Sequence, residues 1–202
     1  MVVPRARHSH SRDRGCLSAA VGHVEIRSLV NGDVLARIRL SPRPVVLVDG
    51  GSGSGKTTLA PGLAHALDAQ LVRLDDIYPG WDGLEAASAH VKEFVLSSDP
   101  RWQRWDWTAD APAEWHLLDA NRPLVIEGCG SLSRANRQLA TFGIWVELDA
   151  ESRKIRALER DGDAYAPYWD RWARQEAAFA EREHPQLLAD LIIDGDVLPE
   201  FG

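Results

Sequence analysis

The chain of 202 residues has only three lysines and two cysteines, and no long apolar run. Each shortage excludes something. No apolar stretch approaches the ~20 residues needed to span a bilayer, so no membrane-crossing helix is expected. The cysteines, Cys16 and Cys129, sit in unrelated contexts without metal-ligand spacing, which suits a reducing cytoplasm. Positive charge is also short, with 23 Lys and Arg against 30 Asp and Glu and a net charge of −7. A nonspecific nucleic-acid binder would instead need a basic surface. Hydrophobic residues make up 45% of the chain, enough for a globular protein with one substantial core.

Two N-terminal stretches stand apart. Met1 to about Ser18 carries Arg5, Arg7, His8, His10, Arg12 and Arg14 with few apolar residues and no hydrophobic region of a secretory signal. It reads as a disordered basic tail or as a start placed too early, which leaves 19–202 as a single domain. From His23 to Leu40, apolar residues alternate around Asn31-Gly32, suggesting a hairpin. Leu29, Val30 and Leu35 break the alternation, so a helix over the same segment remains open.

What is present is concentrated at Asp49–Thr58, DGGSGSGKTT, directly after the apolar run Val45–Val48. Gly50, Gly55, Lys56 and Thr57 complete the G-x-x-x-x-G-K-[ST] pattern, and an Ala/Leu-rich helical stretch follows. Glycines at Gly50, Gly51, Gly53 and Gly55, with Ser52 and Ser54 between them, let successive N–H groups turn inward around a polyphosphate. The helix beginning near Lys56 adds its free amides and positive dipole end, with Thr58 in its first turn. Lys56 would reach the β- and γ-phosphates of ATP, and the Thr57 hydroxyl would ligate Mg²⁺.

Beyond the loop, helix-forming stretches alternate with short apolar strands at Leu71–Leu74, Pro123–Ile126, Ile144–Leu148 and Leu191–Ile193. Lys56–Leu67, Ala150–Asp161 and Trp169–Glu183 read as helices. Such alternation predicts an α/β fold of three layers, a parallel sheet with helices on both faces. Ligands bind beyond the carboxyl ends of such strands, where Asp49, Asp75, Glu127 and Asp149 stand. No Asn precedes a Lys and no Lys follows a Thr, so the guanine-reading N-K-x-D or T-K-x-D motif of a GTPase is absent. An L-S-G-G-Q-like ABC signature is absent too. A small phosphotransferase remains.

DGGSGSGKTT, LDDIYPGW at Leu74–Trp81 and LVIEG at Leu124–Gly128 together resemble the uridine kinase-like branch of P-loop kinases. Asp75-Asp76-Ile77-Tyr78 is similar to that family's Asp-x-Phe-Tyr element, with Ile in place of Phe, and Glu127-Gly128 to its Glu-Gly. The resemblance spans roughly Val45 to Gly195. It implies a P-loop NTPase fold with a five-stranded parallel sheet, Mg·ATP as donor, Asp75 as catalytic base, and Asp76 near the Mg²⁺. It also implies a helical lid carrying arginines. Arg153, Arg156 and Arg160 share one helical face and suit the charge of a γ-phosphoryl group, Arg153 as a nucleotide contact and the other two in catalysis. A solvated charged face is the competing reading.

Five of the eight tryptophans, Trp81, Trp102, Trp105, Trp107 and Trp115, lie between Asp75 and Glu127, the interval that would supply the acceptor pocket. The candidate acceptor set is Asp75, Tyr78, Trp81, Arg104, Asp106 and Glu127, for a hydroxyl of a nucleoside-like or sugar-containing metabolite. RWDW at Arg104–Trp107 does not reproduce the ribose-holding motif of uridine kinases. Trp169, Trp172, Glu176 and Phe179 share a helical face and read as packing, and Cys129 as a buried filler. A nucleotide kinase and an ATP-binding accessory protein are the alternatives.

Overall fold

The computed structural model describes residues 31–199 and 201; the basic tail and the segment 19–30 lie outside the described residues. Five strands form a wholly parallel sheet: β1 (Val45–Asp49), β2 (Gln70–Arg73), β5 (Leu124–Glu127), β6 (Phe142–Glu147) and β7 (Leu191–Asp194). Their order is β2-β5-β1-β6-β7, with β1 central and Val45, Val46, Leu47 and Val48 opposite Leu124, Val125, Ile126 and Glu127 of β5. All five residues of β1 are buried. Its side chains alternate between the two faces, so Val45 and Leu47 join one core and Val46 and Val48 the other. A strand covered on both faces has no need of polar alternation, which explains the unbroken apolar runs.

On one face, α1 (Asn31–Ile38) and α2 (Lys56–Ala66) deliver Val34, Ile38, Leu59 and Leu63 to the core. On the other, α3 (Leu84–His90), a π-helical turn at Val91–Val95 and α6 (Trp169–Glu183) deliver Leu84, Val91, Val95, Trp169, Trp172 and Phe179. Asn31-Gly32 therefore begins a helix. Val34 and Ile38, four residues apart, share its buried face, and this apolar spacing overrides the turn signal that suggested a hairpin. α5 (Ala150–Asp161) follows β6, and short α4 (Arg134–Arg137) and α7 (Pro185–Leu188) close the loops. Among the described residues no helix is long and apolar enough to cross a membrane.

The interval between β2 and β5 holds an antiparallel hairpin, β3 (Arg101–Asp106) and β4 (Ala111–Leu117). The Asp106 carboxylate accepts from the N–H groups of Thr108 and Ala109 and so shapes the turn between them. The pairing shifts register between Gln103 and Trp105. That irregularity helps explain why no strand pair was expected from the sequence.

Candidate active site

The loop after β1 has the backbone its glycines allow. Gly53 and Gly55 have φ of 82° and 109°. A Cβ on Gly53 would also lie 2.1 Å from the Arg153 carbonyl oxygen, so space as well as conformation demands glycine there. Asp49 anchors the loop from beneath. Its carboxylate accepts from the N–H groups of Gly50 (2.7 Å), Gly130 (3.1 Å) and Leu132 (2.8 Å), tying the loop to the turn after β5. Burial pushes the Asp49 carboxyl up to about 6 despite those amides.

A cavity of about 450 Å³ opens at the carboxyl ends of the strands. Ser52, Gly53, Gly55, Lys56, Thr57 and Thr58 line one end of it. No described residue accepts from the N–H groups of Gly53, Gly55, Lys56 or Thr57, so the loop keeps donors for phosphate oxygens. Lys56 Nζ donates to the carbonyls of Gly50 (2.8 Å) and Gly51 (3.0 Å). Burial acts to lower its pKa, and the neighbouring Cys129, Glu127, Glu176 and Asp49 act against that and raise it. These groups fit a polyphosphate. Among the described residues no cluster of three His, Cys, Asp or Glu could hold a metal by itself. A Mg²⁺ here would rest on the Thr57 hydroxyl, phosphate oxygens and water.

At the other end stand Asp75, Tyr78, Trp81, Trp107, Tyr165 and Trp172, with Glu127 and Cys129 between the two ends. Asp75 occupies a 3-10 turn, Leu74–Asp76, immediately after β2. Glu127 ends β5 beside β1, 2% exposed, with Oε1 lacking any hydrogen bond and Arg73 no nearer than 4.0 Å. Burial pushes its carboxyl up to about 7. The Cys129 thiol is raised well above its ordinary value by burial, which leaves it a filler rather than a nucleophile.

Several expected site residues lie elsewhere. Arg104 is bound at both ends of its guanidinium by Glu114 across the hairpin, and Asp106 is used in the turn; neither lines the cavity. Asp76 is also outside the lining, its carboxyl raised by burial and by neighbouring Asp75. Gly50, Gly51 and Ser54 belong to the frame of the loop rather than to its lining, with Ser54 Oγ buried and unpartnered. Asp149 caps α5 through the N–H groups of Glu151 and Ser152. The Tyr78 hydroxyl is spent on the Cys129 carbonyl at 2.9 Å, so its ring alone is offered to a ligand.

Of the three aligned arginines, Arg156 and Arg160 line the cavity. Arg156 pairs with Asp196 and donates to the Gly195 carbonyl, and Arg160 pairs with adjacent Asp161. Arg153 lies against the outside of the loop, donating to the Ser52 carbonyl (3.3 Å) and pairing with Glu176 at 3.0 Å.

Glu176 is the residue that sequence reasoning set aside. One oxygen accepts from the Ser52 N–H (2.7 Å) and the Cys129 thiol (3.3 Å), and the other from Arg153. It stands four residues after Trp172, so one face of α6 touches both the aromatic end of the cavity and the glycine loop. That spacing was the available signal, but it reads equally as a packing stripe. Tyr165, in the turn after α5, carries no sequence mark at all.

No family model and no curated protein matches this sequence. Solved structures do. A possible uridine kinase from Bacillus stearothermophilus superposes with a TM-score of 0.53 at 21% identity, over 80% of this chain and 100% of that one. A candidate fructose transport system kinase from Silicibacter sp. TM1040 gives 0.52 at 21% identity, over 80% and 95%. The likeness is one of fold: this chain has the three-layer α/β fold of P-loop kinases, with a five-stranded parallel sheet.

Proposed function

We propose that the protein is an ATP-dependent small-molecule kinase, acting in the cytoplasm, that transfers the γ-phosphoryl group of Mg·ATP to a hydroxyl of a nucleoside-like or sugar-containing metabolite. One observation carries this reading: the phosphate loop and Asp75 line the same cavity. The loop amides and Lys56 bind the polyphosphate, and the Thr57 hydroxyl would hold a Mg²⁺, which would supply charge neutralisation at the phosphates. Asp75 takes the proton of the acceptor hydroxyl as its oxygen bonds to the γ-phosphorus and the bond to the β–γ bridging oxygen breaks, releasing ADP. Arg156 and Arg160 exchange their carboxylate partners for phosphoryl oxygens as the lid helix settles.

The nucleotide-kinase alternative is weaker. It needs cations on the acceptor side, and Arg101 and Arg104 pair with Asp99 and Glu114 outside the cavity. The accessory-protein alternative gives no use for Asp75. The test is titration of the intact chain with Mg·AMP-PNP, followed by a phosphotransfer screen over alcohols. Lys56→Ala should weaken nucleotide binding and lower turnover at least ~10²-fold. Unchanged turnover would end the kinase reading.

A further inference from the structure

One wall of the cavity is aromatic, with Asp75 beside it. Tyr78, Trp81, Trp107, Tyr165 and Trp172 supply the rings. Trp81 is their centre, its ring centroid 5.1 Å from Trp107, 5.4 Å from Tyr165 and 6.4 Å from Trp172. Tyr168 stacks on it at 4.3 Å with planes 6° apart and holds it in place. Tyr78, Tyr165 and Trp172 are almost wholly buried, while Trp107 is 41% exposed. The cage is therefore rigid at its base and open at one edge.

The lining holds three carboxylates, Asp75, Glu127 and Asp161, and three cations, Lys56, Arg156 and Arg160. Among the described residues, nothing donates a hydrogen bond to the Asp75 carboxylate; the Trp107 indole N–H goes to the Asp75 backbone carbonyl instead, at 3.0 Å. Glu127 Oε1 is buried without a hydrogen-bond partner. Each of these cations already has a partner: Lys56 the loop carbonyls, Arg156 Asp196 and Arg160 the lining carboxylate Asp161. Among the described residues no Asn, Gln or His lines the cavity.

We propose that the acceptor is a cationic alcohol, a molecule carrying a protonated or quaternary nitrogen a few bonds from the hydroxyl that is phosphorylated, with the nitrogen seated against Trp81, Trp107 and Trp172. Aromatic faces present negative quadrupole density and attract a desolvated cation. A carboxylate that receives no hydrogen bond, as at Asp75, gains from a nearby positive charge. An anionic acceptor meets repulsion on this side, and a neutral polyol finds few directional side-chain donors in this wall. The hydroxyl's role rests on the kinase reading; the cation site does not.

The experiment uses matched pairs differing in charge but little in shape. Choline is compared with 3,3-dimethylbutan-1-ol, and glucosamine with glucose, by calorimetry on the intact chain with and without Mg·AMP-PNP. The expected result is that at least one cation binds about tenfold or more tighter than its neutral partner. Equal or tighter binding of the neutral members, or no binding of any of the four to nucleotide-loaded protein, overturns the proposal. Failure of Mg·AMP-PNP to bind, with the cation preference intact, overturns the kinase reading and leaves the cation site standing. Trp81→Leu should bring the charge discrimination to within about twofold. If that variant does not fold, Trp107→Leu at the exposed edge should reduce the preference several-fold, and an unchanged preference in both variants counts against the cage.

Discussion

The two ends of the cavity are built in different ways. The phosphate end is made by one contiguous stretch, β1, the glycine loop and the start of α2, and its binding groups are mostly backbone amides. The end proposed to take the acceptor is assembled from side chains on four separated segments: Asp75–Trp81, Trp107, Tyr165 and Trp172. Backbone chemistry needs particular residues at fixed local spacing, so it leaves a motif. Side-chain chemistry needs only that a ring or carboxylate arrive at a point in space, and many sequences satisfy that.

Asp75→Asn tests the division most severely. If the ends act separately in binding and together in chemistry, this variant should bind Mg·AMP-PNP within a few-fold of wild type while phosphotransfer falls roughly 10²–10⁴-fold. Asp76→Asn should be milder, because Asp76 lies outside the cavity lining. The pair of variants is read by nucleotide titration and by turnover on the same preparations. Equal losses for both would mean that the 3-10 turn matters as a unit, not Asp75 as a base.

The same difference explains what could be read from the sequence. The helices Ala150–Asp161 and Trp169–Glu183 and all five parallel strands stand within a few residues of their expected places, because long periodic or apolar runs carry them. The hairpin β3–β4 was not expected: its strands are half-exposed, paired only with each other, and carry charged residues among the tryptophans. Arg104 and Asp106 looked like pocket residues because they flank Trp105, yet in an antiparallel pair Arg104 meets Glu114 across the ladder. Glu176 and Trp172 were taken as core. Trp172 is indeed buried, and only the tertiary structure reveals that it also lines the cavity.

Glu127 sits between the two ends and sharpens the comparison through pH. Its carboxyl is held at about 7 in the folded chain against an ordinary 4.5. Between those values the folded state holds a proton the unfolded state has lost, so stability falls as pH rises from about 4.5 to about 7 and is flat on either side. The shift corresponds to at most about 3 kcal/mol. Asp49, raised from 3.8 to about 6, adds a decline over the lower part of that range. Glu127→Gln should therefore raise stability at pH 8 and leave only the Asp49 slope below pH 6. Urea unfolding at pH 5, 6.5 and 8 reads this directly. A variant whose pH profile matches wild type would mean that Glu127 is already charged in the folded protein.

The smallest expected effect concerns the joint. Glu176 and Arg153 form a largely buried pair, with side chains 11% and 19% exposed, and bridge α6, the turn after β5, the loop and α5. Breaking the pair should disturb the loop more than the fold, because Asp49 still anchors it from below. Glu176→Gln keeps an acceptor for the Ser52 N–H but loses the charge opposite Arg153. Its affinity for Mg·AMP-PNP should drop roughly three- to tenfold, and Arg153→Ala should do the same. Glu176→Ala, which also orphans the Ser52 amide, should do worse. If the two residues act through one contact, combining Glu176→Gln with Arg153→Ala should cost little more than either alone, a coupling of about 1 kcal/mol. Additive losses would show instead that each touches the loop independently, and that the two ends of the cavity are joined through the sheet rather than through α6.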